Sequence, residues 1–444
     1  MSIQIFNAKS PACKCWLDNL LAQRRARHDG IEGTAAAIVE AVRERGDLAL
    51  IELTQRYDNV DLRPDQLRIE AKELTRALRG LGREERAALE LAARRIRAFH
   101  RHTVERSFSY RDRLGVRLGQ IVRPLARVGI YVPGGAAAYP STVLMNAIPA
   151  QVAGVKQIVM VSPLAPGQPA TQVVLAAAAL AGVSEVYRVG GAQAIAALAY
   201  GTQSIRPVNK IVGPGNAYVQ AAKRLVYGAT GIDMVAGPSE VLIIADDSAR
   251  PDWIAGDLIA QAEHGSGDES AILITTSQEL ALAVDEALER GLSDLPRATA
   301  VRTALDRRGA AIVVDDVAAA CVLANRIAPE HLELEVRQSA RWVDHLEAAG
   351  AIFVGSASPA PFGDYLAGPN HVLPTGGWAR FASPLGAYDF VKRTSIIQAN
   401  AAAIAAIGPA VARLARLEGF EGHARAVEQR FRKGPKENDG APKN

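Results

Sequence analysis

The spacing of apolar residues separates the helical ends of the chain from a central region in which strands and helices alternate. Up to about residue 112, stretches such as "GTAAAIVEAVRERGDLALIELTQRYD" repeat apolar positions every three or four residues, which predicts amphipathic helices. From about residue 126, short β-branched runs such as "RVGIYV", "QIVMVS" and "EVYRV" alternate with Ala-rich helical segments. This alternation predicts a parallel sheet that helices cover on both faces.

A second series of strands and helices begins at "EVLIIAD" and continues through "AILITT", "AAIVV", "ELEV" and "AIFVG". The Gly and Pro residues of "GIDMVAGPSE", between the two series, suit a crossover. The pattern therefore predicts an α/β fold of two doubly wound, incomplete Rossmann-like parallel-sheet modules with helical N-terminal and C-terminal segments. We expect the N-terminal helices to cover the second module, helix again after residue 393, and a frayed tail in "KGPKENDGAPKN".

Composition and charge exclude several classes of protein. A chain of 444 residues is too long for one hydrophobic core, which predicts two or more domains. The 51 basic and 47 acidic residues are spread along the chain, so no basic stripe indicates a nucleic-acid partner. Three cysteines make no disulfide framework, which suits a reducing compartment. The N-terminus shows no signal pattern and "VLAAAALAGV" is too short to span a bilayer, so we expect a cytoplasmic protein without a membrane partner.

Three Gly-rich turns in the first module are the candidates for cofactor binding. "GIYVPGGAAAYPS", "YRVGGAQAIAAL" and "KIVGPGNAYVQ" each follow a predicted strand and precede a predicted helix. Glycine lets main-chain amides approach a phosphate, and the start of a helix favours an anion, so a nucleotide is the expected ligand. The alternative is that these glycines only form tight strand-to-helix turns, because Asn216, Ala217 and Tyr218 occupy the place where a dinucleotide fingerprint needs its third glycine.

A predicted helix in the second module carries candidate metal ligands. In "PDWIAGDLIAQAEHG", Asp257, Gln261 and His264 fall on one face of the helix. An imidazole and a carboxamide oxygen can both bind a divalent ion, and Asp257 could orient the histidine. The alternative is a polar helix surface without a ligand.

Two further segments are rich in polar groups. "FGDYLAGPNHVLPTGG" places Asp364 and His371 in a Gly- and Pro-rich loop, where polar groups indicate function more than packing. "LEGFEGHARAV" carries Glu418 and His423 in a helical stretch, and a solvated helix position is the alternative for His423. The remaining histidines lie in charge-rich helical stretches and are expected to be exposed: His28, His100, His102 and His345.

The segment "NRIAPEHLEL" contains a candidate acid–base pair. Pro329 disfavours the helical conformation at Ala328, so Glu330 and His331 should follow a forced break and enter a strand. A histidine that titrates near neutrality beside a carboxylate can take a proton from an alcohol or a water. The alternative is a helix end with both groups in solvent.

Taken together, these stretches resemble the histidinol dehydrogenase family, from "AVRERGDLAL" to "EGFEGHARAV". The resemblance rests on many separate blocks that follow the family's order: "YVPGG", "STVLMNAIPAQVAGV", "GGAQAIAALAYGT", "GPGNAYV", "IDMVAGPSEV", "AQAEHG", "NRIAPEHLEL", "GDYLAGPNHVLPT" and "DFVKR". The chain departs from the family's pattern in "SPLGAYDF" and at Gly265, where an Asp is frequent.

The resemblance implies an enzyme that oxidises L-histidinol to L-histidine through an aldehyde, with NAD and one zinc ion per subunit. Its implied zinc ligands are Gln261, His264, Asp364 and His423. The implied acid–base residues are Glu330, which activates water, and His331, and the implied NAD contacts are Tyr131, Gln193 and Asn216. The implied substrate contacts are Ser239, Gln261, His264, His331, Asp364, His371, Glu418 and His423.

The resemblance also implies a homodimer with shared active sites. The expected parts are an N-terminal helical arm (1–25), a substrate- and zinc-binding α/β domain (26–118 and 240–388), an NAD-binding α/β domain (119–239) and a C-terminal helical segment (389–444) that reaches the partner's site. Three alternatives stay open. They are a related zinc- and NAD-dependent dehydrogenase of another small amino- or sulfo-alcohol, a zinc hydrolase, and a non-catalytic nucleotide-binding protein.

Overall fold

The structure, a computed structural model, divides the chain into two compact units. The first unit comprises Met1–Val104 and Leu125–Phe390, and the second comprises Glu105–Pro124 and Val391–Asn444. The parts of the chain that the structure describes are residues 3–24, 29–134, 138–165, 168–263, 267–293 and 295–431.

Helices and strands alternate through most of the described chain. The helices are α1 (Pro11–Gln23), α2 (Asp29–Arg45), α3 (Asp47–Asp58), α4 (Ala71–Arg79), α5 (Arg83–His100), α6 (Pro140–Ala153), α7 (Pro169–Leu180), α8 (Gly191–Tyr200), α9 (Ala217–Val226), α10 (Pro251–Ala262), α11 (Gln278–Gly291), α12 (Ala298–Arg308), α13 (Val317–Ile327), α14 (Ala360–Phe362), α15 (Ala401–Leu417) and α16 (Glu421–Glu428). The strands are β1 (Gln4–Asn7), β2 (Arg68–Ile69), β3 (Phe108–Arg111), β4 (Arg117–Pro124), β5 (Arg127–Tyr131), β6 (Gln157–Ser162), β7 (Glu185–Arg188), β8 (Lys210–Val212), β9 (Gly231–Ile232), β10 (Glu240–Ala245), β11 (Ser270–Thr275), β12 (Gly309–Val313), β13 (His331–Glu335), β14 (Ala351–Val354) and β15 (Val391–Gln398).

The first unit contains both predicted parallel sheets. One sheet has the strand order β2-β7-β6-β5-β8-β9, parallel except for the antiparallel edge strand β2. The other has the order β1-β12-β11-β10-β13-β14 and is parallel throughout. Every residue of β10 and β11 is buried, as expected for strands covered by helices on both faces. The chain reverses its winding direction at β5/β8 in one sheet and at β10/β13 in the other, so each sheet has a switch point.

The N-terminal helices differ from the prediction in the sheet they cover. Helix α2 packs against α8 and α9, α4 packs against α7, and α5 packs against α6. All of these contacts lie around the sheet that contains β5. The expected assignment of residues 26–118 to the other module is therefore corrected for these helices. An amphipathic pattern shows that one face of a helix is buried but does not show against which sheet.

The ends of the chain also contain strands that the sequence pattern did not predict. Gln4–Asn7 adds β1 to the edge of the second sheet beside β12, so the N-terminal arm is not helical throughout. In the second unit, β15 pairs with β4 and β4 with β3, and the three form an antiparallel sheet. The expected helix from residue 393 is therefore wrong up to Gln398, and helix begins only at Ala401, after the N-cap Asn400.

Burial contradicts one expected surface position. His100 is 1% exposed at the end of α5, whereas His102 and His345 are exposed as predicted. Burial lowers the pKa of His100 to about 4. His28 lies outside the described residues. None of the helices in the described part of the chain combines the length and the apolar composition needed to cross a membrane.

Candidate active site

The predicted break in "NRIAPEHLEL" is present. Helix α13 ends at Ile327, and β13 begins at His331. Ala328 adopts a left-handed conformation with φ 52°, rather than the extended one that a following proline favours. A non-glycine residue in this region is uncommon, and such strain concentrates at functional sites. The main-chain oxygens of Pro329 and Glu330 accept hydrogen bonds from Gly350 and Ala351, which hold the turn.

Glu330 and His331 are buried and share one anchor, in contrast to the alternative of a solvated helix end. Their exposed fractions are 6% and 3%. The main-chain N–H of Glu240 donates to Oε2 of Glu330 at 3.0 Å. Nδ1 of His331 lies 3.2 Å from the main-chain oxygen of Glu240, and Nε2 lies 3.2 Å from Oδ1 of Asp364. Because a carbonyl oxygen can only accept, Nδ1 carries a hydrogen, and Nε2 is the nitrogen that can exchange a proton with a substrate.

Burial and mutual contact shift both pKa values. Burial raises the pKa of Glu330 to about 7, and the nearby His331 opposes that rise. Burial would lower the pKa of His331, but the charge of Glu330 and the hydrogen bond to Asp364 outweigh it and raise that pKa to about 9. The pair can therefore hold and release protons between neutral and mildly alkaline pH.

The acid–base pair lies at the amino end of the second sheet. Glu240 and His331 are the first residues of β10 and β13, the two strands at the switch point. Ser239 immediately precedes β10, and its main-chain oxygen accepts a hydrogen bond from Ser270. Helix α10 follows β10 and returns toward the same edge, so its last turn, with the buried Gln261, points to this end of the sheet.

The loop after β14 brings Asp364 and His371 together. Asp364 lies in a turn of π-helix, Gly363–Ala367, and the main-chain oxygen of Asp364 is 2.9 Å from Nδ1 of His371. Nε2 of His371 lies 3.5 Å from Oγ1 of Thr142 on α6. The loop is thus linked to a helix of the first sheet, and Asp364 connects His371 to His331.

Three carboxyl groups lie on the same side of β13 as His331. Strand alternation places His331, Glu333 and Glu335 on one face, while Leu332 and Leu334 face a hydrophobic cluster. Oxygen atoms of Asp257, Glu333 and Glu335 lie within 4.8 Å of one another. Burial raises the pKa of these groups to about 6, 8 and 7, in that order. The carboxyl of Asp257 thus contacts Glu333, a partner that its helix position did not indicate.

The three Gly-rich turns follow β5, β7 and β8 at the carboxyl edge of the first sheet, and residues 135–137 of the first turn lie outside the described residues. Tyr131 ends β5, is 3% exposed, and accepts a hydrogen bond from the main-chain N–H of Gly191 at 3.1 Å. Gln193 lies in the first turn of α8 and is 1% exposed. Its Nε2 has no hydrogen-bond partner among the described residues. A buried donor without a partner is costly, so it suits a ligand that supplies an acceptor.

Side chains bond both the main-chain N–H and the main-chain oxygen of the turn after β8. Gly213 has φ 116°, and a Cβ there would collide with the main-chain oxygen of Tyr131. Its N–H donates to Oδ2 of Asp233 at 2.8 Å, and its oxygen accepts from Nζ of Lys223 at 2.9 Å. Lys223 and Asp233 also form a buried ion pair. Asn216 caps α9 by accepting from Tyr218 and Val219, which leaves its exposed NH₂ group to donate. The close approach of main chain and the open helix start fit a dinucleotide phosphate.

The predicted metal ligands come from different parts of the chain, and their joint role in binding zinc stays a prediction. Gln261 and Asp364 lie in the unit that holds Glu330 and His331, and their oxygen atoms suit zinc together with imidazole nitrogen. His264 lies outside the described residues. Glu418, at the end of α15, and His423, on α16, are exposed in the second unit. Their predicted role at a partner's site stays a prediction.

The residue that sequence reasoning missed is Glu240. It holds the acid–base pair through its main-chain N–H and C=O groups. Because almost every residue type has these groups, the sequence gives no sign of such a contact. Glu333 and Glu335 could have been found, because "HLELE" alternates charged and apolar residues within a strand expected to be buried on both faces.

Two doubly wound modules, one with phosphate-type turns at its switch point and the other with a buried acid–base pair, define an α/β enzyme with the architecture of a dehydrogenase. The family model described as histidinol dehydrogenase matches residues 21–431. The chain belongs to the histidinol dehydrogenase family and is an oxidoreductase.

Curated relatives and a solved structure agree with this assignment. The chain is 51% identical to the histidinol dehydrogenase of Nitrosomonas europaea over 416 residues, covering 94% of this chain and 96% of the relative. It is also 51% identical to that of Aromatoleum aromaticum over 431 residues, covering 97% and 98%. The crystal structure of histidinol dehydrogenase from Elizabethkingia anophelis is similar with a TM-score of 0.89 at 35% identity, covering 96% of this chain and 98% of that one.

Proposed function

We propose that the protein oxidises L-histidinol to L-histidine through the aldehyde, as the last step of histidine biosynthesis, with NAD and one zinc ion per subunit. The observation that carries the proposal is the convergence of Glu330 and His331 on one main-chain anchor in a buried environment. Two oxidations at one carbon need two proton acceptors close together, and this pair supplies them.

His331 accepts the first proton. With Nδ1–H held toward the oxygen of Glu240, Nε2 of the neutral imidazole, which lies beside Asp364, takes the hydroxyl proton as hydride leaves the carbinol carbon. A bound NAD would supply the hydride acceptor, and loss of the proton and the hydride leaves the aldehyde. The buried position of His331 keeps bulk water from competing for the proton.

Glu330 acts between the two oxidations. A carboxyl group with a pKa of about 7 is ionised in a substantial fraction of molecules at neutral pH and can take a proton from water. The water oxygen then adds to the aldehyde, and the former carbonyl oxygen takes the proton that His331 holds, which gives a diol and returns His331 to its neutral form. His331 deprotonates one hydroxyl of this diol as the second hydride leaves, and the resulting acid releases its remaining proton to solvent as the carboxylate of histidine.

The first sheet supports NAD binding. The orphaned Nε2 of Gln193, the buried Tyr131 and the capping Asn216 surround turns where main-chain amides can approach the pyrophosphate. The side chains of this region would orient the dinucleotide with its phosphates at the helix starts of α8 and α9.

The donor chemistry of the second sheet supports a zinc ion. Gln261, His264, Asp364 and His423 would hold it, and a bound zinc ion would act as a Lewis acid that anchors the amino alcohol. Ser239, His371 and Glu418 would contact the substrate. Asp364 also contacts His331, so the metal site and the acid–base pair would share a side chain.

The assembly follows from the same proposal. The 119–239 domain would bind NAD, the 240–388 domain would bind substrate and zinc, and residues 389–444 would complete the partner's site in a homodimer. We place the enzyme in the cytoplasm, without a nucleic-acid or membrane partner.

The proposal is tested by incubating purified protein with zinc, NAD and L-histidinol. We expect two NADH for each histidine formed, and H331N should abolish both. Other small amino alcohols are compared in parallel. A specificity constant for one of them well above that for histidinol would assign the protein a related activity, and product formation without NADH would indicate a hydrolase.

A further inference from the structure

Arg24 lies at the C-cap of α1 and reaches the anchor of the acid–base pair. Its Nη2 is 2.7 Å from Oε1 of Glu240, and the two side chains are 7% and 6% exposed. Its Nη1 donates to the main-chain oxygen of Ile327 at 2.6 Å. Ile327 is the last residue of α13, immediately before the left-handed Ala328. One guanidinium therefore contacts both the start of β10 and the end of α13.

Glu240 connects this ion pair to the chemistry. Its side chain faces Arg24, and its carboxylate also accepts a hydrogen bond from the main-chain N–H of Gly376. Its main chain holds Oε2 of Glu330 and Nδ1 of His331. A displacement of Glu240 would therefore move the contacts of both acid–base residues at once.

The ion pair with Arg24 also stabilises the ionised form of the Glu240 carboxyl group, which burial disfavours. Burial raises the pKa of Glu240, and the charge of Arg24 counteracts that rise. A buried carboxylate without a cation either takes up a proton or moves toward water. In both cases the contacts that fix the main chain at the start of β10 are weakened.

We propose that Arg24 is a positioning residue, which holds Glu240 and the end of α13 so that Glu330 and His331 converge on one carbon. The inference rests on the proposed function, in which this pair carries the proton transfers. Arg24 touches neither of the two side chains and acts through Glu240 and the turn at Ala328.

The competing explanation is that Arg24 only docks α1. The chain offers a matched control, because Asp18 of α1 pairs with Arg326 of α13 at 2.7 Å. This ion pair joins the same two helices, but both side chains are about half exposed, at 51% and 49%. D18N therefore removes an ion pair between α1 and α13 without touching Glu240.

The experiment compares R24M, R24K, R24M/E240Q and D18N in the full-length protein with zinc, NAD and histidinol. We expect kcat of R24M to fall about tenfold or more with KM for histidinol and NAD within about twofold, since positioning acts on the transition state. D18N should stay within about twofold in both. R24M/E240Q should regain part of the lost kcat, because the unpaired buried charge is gone, and R24K should be intermediate.

A wild-type kcat in R24M, or an equal loss in D18N, would overturn the inference. If R24M is insoluble, the same comparison is made with R24K and with R24M/E240Q, in which the buried carboxylate is neutralised. Wild-type kcat in both of these variants would also overturn the inference, and a fall in kcat at unchanged KM would support it. H331N separates the two proposals. Normal turnover of H331N removes the proposed role of the acid–base pair, whereas an inactive H331N beside a fully active R24M removes only the role of Arg24.

Discussion

The main-chain N–H of Glu240 lies 3.0 Å from Oε2 of Glu330, although 90 positions separate the two residues. The carbonyl of Glu240 lies 3.2 Å from Nδ1 of His331. The N–H and C=O of one strand residue point to the same side, here toward β13. A single residue therefore orients two neighbouring side chains that a regular strand would direct to opposite faces.

The first prediction concerns this contact. E330Q keeps the side-chain size but cannot accept a proton from water, so the second oxidation should slow by about a hundredfold or more, while histidinol is still converted to the aldehyde. The measurement is NADH formation from histidinol and, separately, from the aldehyde, with trapping of released aldehyde. Normal oxidation of the aldehyde by E330Q would show that Glu330 does not activate water.

The second prediction concerns the metal. Removal of divalent ions by a chelator should abolish turnover, and zinc should restore it in proportion to the metal bound, at one ion per subunit. D364N should lower zinc content measured on the purified protein. Full activity of a preparation shown to be metal-free would remove zinc from the reaction.

The third prediction concerns Gly213. G213A should weaken NAD binding by about tenfold or more, because a Cβ would collide with the oxygen of Tyr131 and deform the turn. Gly228 is the matched control. It also has a positive φ, 108°, but a Cβ there meets nothing within 4 Å. NAD titrations of both variants separate the two effects, and equal affinities in G213A and G228A would show that the turn does not contact NAD.

The fourth prediction is a pH dependence of stability. The folded-state pKa of Glu333, about 8, lies above its unfolded value, so its contribution to stability is fully present below about pH 4.5 and is lost as pH rises through 8. The slope from one such group is about 1 kcal/mol per pH unit. E333Q mimics the protonated form, so its unfolding free energy should exceed that of the unmodified protein at pH 9 and approach it at pH 5.

Denaturant unfolding at several pH values measures this slope. The exposed Glu347 is the control, because E347Q removes a carboxylate that stands in solvent. If E333Q and the unmodified protein show the same pH dependence, Glu333 does not hold a proton in the folded state.

The fifth prediction concerns the shared active site. In a homodimer whose sites combine both chains, H331N and H423N should each be inactive, but a mixture allowed to exchange subunits should recover about a quarter of normal activity. Each mixed dimer then has one site with both defects and one with none. No recovery after demonstrated subunit exchange would place His423 in the site of its own chain, and an active H423N would place it outside the site.

Sequence reasoning identified the two parallel sheets and the broken entry to β13 because both depend on local patterns. Apolar alternation and Gly-rich turns specify strands and their connections, and Pro329 disfavours the right-handed helical conformation at the residue before it, which ends the helix there. It missed β15, since "VKRTSIIQ" lies on a three-stranded sheet where most positions are exposed and no apolar face stands out.

The sequence alone determined the alternation of the main strands and helices between β5 and β14, the break at Pro329 and the identity of the titratable groups beside it. Only the tertiary structure decided which sheet the N-terminal helices cover, that His100 is buried, and that Glu240 joins Arg24 to Glu330 and His331. The physical reason is how far apart in the sequence the interacting residues lie. Local patterns fix backbone conformation through neighbouring residues, whereas burial, pKa shifts and main-chain anchoring arise from groups that folding brings together from distant parts of the chain.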